Sequence, residues 1–122
     1  MLHTQERIIE KGLDSLVELG IDIKDYSDFV LLVYSQTDSI KFNPVVTECR
    51  GLILQKDTWK VLCRSFDRFY NYGEDPESNN FPVNKSNIYE KVDGTLIRVW
   101  FHPVLGWNCA TRKMALDRKS VV

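Results

Sequence analysis

A chain of 122 residues that is 43% apolar and 11% aromatic holds one small domain at most and is too apolar for a disordered segment. No apolar run approaches the roughly 20 residues that span a bilayer, and the N-terminus carries no apolar signal core. The chain is therefore read as cytoplasmic, without a membrane partner. A net charge of −1 excludes a generally basic nucleic-acid coat.

Charge is nevertheless uneven. Residues 1–48 hold 4 basic and 9 acidic side chains, net −5, whereas residues 49–122 hold 12 and 8, net +4. A polyanion would bind the second part. The cysteines at 49, 63 and 109 form no CxxC pair and no Cys/His cluster, which speaks against zinc and for reduced thiols.

In chain order, residues 4–19 are expected to form an amphipathic helix. Ile9, Leu13, Leu16 and Val17 would share its buried face, with Thr4 capping the start and Gly20 closing the end. Phe29 to Tyr34 is β-branched and aromatic enough for a buried strand. Asn43-Pro44 should start a short helical turn reaching about Cys49. Two strands follow, Gly51–Gln55 and Lys60–Arg64, joined by a turn at Lys56 to Trp59. Residues 73–87 make a polar loop, and a strand from Ile88 to Lys91 should break at Asp93-Gly94. Thr95–His102 alternates as a strand, Pro103 to Gly106 turns, and Trp107–Arg112 returns. The fold class expected is α+β, helix on antiparallel sheet.

The central chemical signal is Glu90-Lys91-Val92-Asp93-Gly94. A strand end fixes the amine of Lys91, and Gly94 lets the backbone turn away and leaves room for a ligand. Attack on phosphorus requires the neutral amine, so the lysine pKa must fall from about 10.4, which nearby cations and burial both favour. By itself Lys-x-Asp-Gly is a weak signal and reads rather as an Asp-Gly hairpin preceded by a solvated lysine. Two other segments bring cations to strand ends or among aromatics: Glu48-Cys49-Arg50-Gly51-Leu52-Ile53, and Ser65-Phe66-Asp67-Arg68-Phe69-Tyr70-Asn71-Tyr72-Gly73-Glu74.

Together, in this order and spacing, the three segments resemble the N-terminal part of phage-type ATP-dependent RNA ligases. The likeness is to the RNA ligase one branch of the lysine nucleotidyltransferases, over roughly residues 25–115. The resemblance implies a partial nucleotidyltransferase domain, the ATP-grasp-like ligase adenylation fold, across residues 1–122. It implies that Lys91 attacks the α-phosphorus of ATP to give lysyl-AMP, and that Arg50 and Arg68 grip the triphosphate. Mg2+ would act as a clamp on phosphate oxygens, with no metal-ligating residue singled out. Glu90 and Gly94 fall where the family binds nucleotide. Asp93 is open between orienting Lys91, contacting a metal or ribose, and shaping the turn. Arg112 and Lys113 match a short basic motif that holds nucleotide or RNA phosphate, and read equally as a solvated charged end. Arg98 either pairs with Trp100 as cation and π-face or contacts ligand.

The implied partners are RNA ends, a 5′-phosphate and a 3′-hydroxyl. The family's Glu-Gly strand and late Lys-x-Lys are not found in the sequence. An isolated chain of this kind is expected to be inactive in ligation or to need a complementing second chain. The alternatives are a DNA ligase or capping guanylyltransferase, and a non-catalytic nucleotide- or RNA-binding remnant of a ligase.

Overall fold

The computed structural model describes residues 1–70, 74, 89–90 and 94–116. Helix α1 spans His3–Lys11 and is followed by a 3-10 helix over Leu13–Leu19. Strands β1 (Ile21–Asp25) and β2 (Phe29–Tyr34), helix α2 (Pro44–Glu48), strands β3 (Arg50–Gln55) and β4 (Val61–Cys63), and the hairpin β5 (Arg98–His102) and β6 (Gly106–Ala110) complete the order. The first four strands form one antiparallel sheet in chain order, β1-β2-β3-β4, and β5-β6 a second. The α+β expectation holds at this level.

Strand β2 is buried along its whole length because it is covered on both faces. Val30, Leu32 and Tyr34 pack with Leu52 and Leu54 against Ile8, Leu16, Leu19 and Val46 of the helices. Phe29, Leu31 and Val33 pack with Ile53 and Cys63 against Trp100 and Ala110 of the hairpin. The period-two alternation of a strand thus feeds two cores, one on each side of the sheet.

The N-terminal helix is not continuous. Gly12 has φ +91°, a conformation only glycine adopts without strain, and it stops α1 there. The 3-10 segment then repeats every three residues, which puts Leu13, Leu16 and Leu19 on one side. Ile9 and Val17, expected on the buried face, are each 61% exposed, because the break shifts the helical phase. Gly20 closes the segment with φ +81°, as expected. Thr4 lies inside the first turn rather than capping it. The cap is supplied from α2: Glu48 accepts the backbone N–H groups of His3 (3.1 Å) and Thr4 (2.8 Å). A buried carboxylate at the positive end of a helix satisfies two donors at once and displaces the weaker local hydroxyl.

Helix α2 begins as anticipated, with the Asn43 side chain accepting from Val45 N (2.9 Å) and proline in the first turn. Strand β1 was not anticipated. The second hairpin holds its expected turn, but strand pairing starts at Arg98 rather than Thr95. Of the strand expected from Ile88 to Lys91, Tyr89 and Glu90 are described, exposed and in no strand, whereas Ile88, Lys91, the break at Asp93 and nearly all of the 73–87 loop lie outside the described residues.

Candidate functional site

The site is built where β3 begins. Gly51 has φ +79°, and a Cβ placed there would lie 3.0 Å from the Arg112 carbonyl oxygen and 2.9 Å from the Arg98 guanidinium. Absence of a side chain at position 51 therefore lets the backbone beyond β6 close onto β3. Around this approach a cleft of about 210 Å³ is lined by Arg50, Ser65, Gly94, Thr95, Arg98 and Arg112, with Leu96 beside them.

Three of those lining residues are arginines, and each is held differently. Arg50 is half-buried and stands 4.9 Å above the Phe69 ring. Arg98 is buried and donates to the carbonyl oxygens of Gly51 and, at 2.7 Å, Thr111. Arg112 donates to the Tyr34 carbonyl oxygen at 3.2 Å and stacks 4.5 Å from the Tyr34 ring. The carbonyl partners of Arg98 and Arg112 leave those charges unneutralised, Arg112 Nε has no partner among the described residues, and no carboxylate stands among the described lining residues, so these residues give the cleft a positive potential. That suits an anion carrying several charges.

Among the described residues Arg98 makes no stack on Trp100. Trp100 instead donates its indole N–H to the Ala115 carbonyl oxygen (2.8 Å) and meets Phe29 edge-on, 5.2 Å between centroids. The carbonyl acceptors across the strand outcompete the ring because buried main-chain oxygens must be paired. Beside Arg98, burial pushes the Cys63 thiol up in pKa despite the opposing pull of the guanidinium, which keeps it a neutral core group.

Of the residues expected from the sequence, Arg50, Gly94 and Arg112 converge on this cleft. Arg68 does not line it. Its guanidinium lies 4.4 Å from the Tyr34 ring and 5.1 Å from Tyr70, and it donates to Ser39 Oγ at 2.7 Å. Tyr34 thereby carries two guanidiniums, Arg68 and Arg112, and links the two basic segments. Glu90 is exposed and outside the cleft lining. Lys113 is exposed and lines a neighbouring cleft together with Arg112. Lys91 and Asp93 lie outside the described residues. Sequence reasoning missed Tyr34, Ser65 and Thr95 at the site. Tyr34 reads as plain core in an apolar run, and only its place at the strand end hinted otherwise.

No group of three or more His, Cys, Asp or Glu residues that could hold a metal stands together among the described residues. Among them, too, no helix is long and apolar enough to cross a membrane.

A family model for RNA ligase matches residues 48–119. A protein of Autographa californica nuclear polyhedrosis virus described as a bifunctional polynucleotide kinase/RNA ligase is 35% identical over 94% of the chain. The RNA ligase of Rhodothermus phage RM378 is 31% identical over 84% of it. These alignments cover 18% and 28% of the two relatives, so the chain spans less than a third of either. No solved structure matches the chain.

Proposed function

The chain belongs to the RNA ligase family, and from that premise we propose that it supplies the nucleophile and phosphate-gripping segments of an ATP-dependent adenylation domain. The observation that carries the reading is the convergence of Arg50, Arg98, Arg112 and Gly94 on one cleft, with Lys91 three positions before Gly94 in the sequence.

In this reading the neutral amine of Lys91 attacks the α-phosphorus of ATP. A nitrogen–phosphorus bond forms, the bond to the bridging oxygen breaks, pyrophosphate leaves, and the amine gives up a proton. A terminal phosphate oxygen of RNA then displaces Lys91 from the same phosphorus, giving an AMP-capped 5′ end. The 3′-hydroxyl of a second end attacks the 5′-phosphorus and releases AMP. Arg50 and Arg112 neutralise charge that builds on the leaving pyrophosphate, and the cation field favours the neutral lysine. Arg98, fixed by two carbonyls, adds to that field without moving. Arg68, outside the cleft lining, stacks on the Tyr34 ring that also carries Arg112, and so acts on the grip through Arg112. Magnesium fits as the counter-ion that ATP carries on its own phosphate oxygens, where it offsets charge. The same proposal includes the nucleotidyltransferase fold, Glu90 at the nucleotide, and Asp93 orienting Lys91, contacting a metal or ribose, or shaping the turn.

The Glu-Gly strand and the Lys-x-Lys pair are not in the 122-residue sequence, so charge on the α-phosphate would be under-compensated by several kcal/mol, by analogy with about 2.7–4 kcal/mol for one donor. Incubation with α-labelled ATP and magnesium tests the reading. The chain alone should give at most a trace of adduct, mapped to Lys91 and lost in Lys91→Ala. A strong adduct would overturn the need for further segments, and a trace that survives Lys91→Ala would overturn the nucleophile.

A further inference from the structure

A second cleft, of about 320 Å³, shares Arg112 with the first and is lined also by Asp22, Gln36, Thr37 and Lys113. We infer that this cleft receives the 5′-phosphorylated terminal nucleotide of an RNA strand, apart from the cleft that takes the triphosphate. The inference rests on the ligase reading and assigns the 5′-phosphorylated strand of that reading to particular residues.

Charge separates the two clefts. Counted over the described residues that line each cleft, the first presents three guanidiniums and no carboxylate, which matches a polyphosphate. The second sets Arg112 and Lys113 against Asp22, a balance of +1 that matches one terminal phosphate and would hold a triphosphate poorly. Neutral groups supply the rest. Gln36 and Thr37 are exposed at the wall, and an amide with a hydroxyl offers both donors and acceptors. A ribose 2′-hydroxyl is itself donor and acceptor, and it is the group by which a protein tells RNA from DNA.

The wall is also pre-formed. The Ser35 hydroxyl accepts Asp38 N–H at 3.1 Å and shares a 3.4 Å bond with Thr37 Oγ1, which keeps further acceptor capacity for a ligand, and the Ser35 N–H donates to the Gly20 carbonyl oxygen at 2.9 Å. Those bonds fix the turn that presents Gln36 and Thr37. On the opposite lining segment, Lys24 donates to the Lys113 carbonyl oxygen, tying β1 to the basic motif. Arg112 bridges the clefts, and its Tyr34 contacts hold it in place. A phosphate in the second cleft therefore lies one guanidinium away from the nucleotide, which is where the oxygen that displaces Lys91 has to arrive.

Fluorescence anisotropy of the 122-residue chain with a short single-stranded oligoribonucleotide, dye at its 3′ end, tests this. The 5′-phosphorylated RNA should bind tightest, with 5′-hydroxyl RNA and 5′-phosphorylated DNA of the same sequence each several-fold weaker. Gln36→Ala and Thr37→Val should erase the preference for RNA over DNA. Lys113→Ala should erase the preference for the 5′-phosphate and lower the salt slope by about one. All three residues are exposed, and circular dichroism checks that each variant keeps its fold. Equal binding of the three probes, or folded variants indistinguishable from the unsubstituted chain, would overturn the assignment. ATP titrated into the same preparations reports on the first cleft. Lost ATP binding with RNA discrimination intact would count against the ligase reading, and the reverse pattern would overturn the second cleft alone.

Discussion

Among single residues, the arginines show how one side-chain type serves two ends. Arg98 is a structural cation: buried, with its N–H groups spent on Gly51 and Thr111. Replacing it by leucine leaves those carbonyls unpaired, and urea unfolding should show a loss of about 1–3 kcal/mol. Arg50 stands over the Phe69 ring, with no ion pair among the described residues, and lines the cleft. Glu48 is the acidic counterpart. Burial pushes its carboxyl up, but hydrogen bonds from Thr4 and His3 outweigh that and hold it below the ordinary value of 4.5. A depressed folded-state pKa contributes stability that is present above about pH 4.5 and is lost as pH falls through the folded value. Between pH 5 and pH 3, Glu48→Gln should therefore lose less stability than the unsubstituted chain, although it is the less stable of the two at neutral pH. Parallel slopes of unfolding free energy against pH would contradict this.

Across the elements, β2, α2, the β3–β4 hairpin and the β5–β6 hairpin were legible because each carries its own local signal. A six-residue apolar run, an Asn-Pro cap and a polar turn between apolar strands are short-range features. The break at Gly12 was not legible, since a lone glycine within a helical pattern is usually tolerated at a cost of about 1 kcal/mol. Strand β1 offered only Ile21 and Ile23 alternating with Asp22 and Lys24, a five-residue edge signal. Its partner β2 makes it a strand through the register Ile21↔Tyr34 to Asp25↔Val30. At the site, motif residues were legible by type and spacing, but their geometry was not. Arg112 and Tyr34 are 78 positions apart, and no local pattern announces a contact of that range. Gly51 is the element-level hinge of that geometry. Gly51→Ala combines a positive φ with a close backbone contact, so a loss of at least about 1–2 kcal/mol is expected in the unfolding free energy. An unchanged midpoint would show that the backbone beyond β6 does not need the space.

For the molecule as a whole, one sheet is shared by two cores, and thiol chemistry reads this out. Cys49 lies in the helix-side core and Cys63 in the hairpin-side core, whereas Cys109 is exposed on β6. Burial pushes the Cys49 thiol up to about 12, so it carries almost no thiolate at neutral pH. A chromogenic disulfide reagent should titrate Cys109 rapidly in the native chain and reach Cys49 and Cys63 only on unfolding. Rapid reaction of all three would deny the double core. Beside Cys109 the outer face of the hairpin exposes Val99, Phe101 and Trp107, while Arg98, Trp100 and His102 point inward. The inward side packs against β3 through Trp100 and lines the cleft through Arg98.

The most direct test of the account is calorimetric titration of ATP with magnesium into the chain and into Arg50→Ala. The account predicts saturable binding by the first and a loss of affinity of about tenfold or more in the second, with thermal unfolding unchanged, since a desolvated charge contact to phosphate is worth roughly 1.5–3 kcal/mol. Equal heats from both proteins, or none from either, would contradict it.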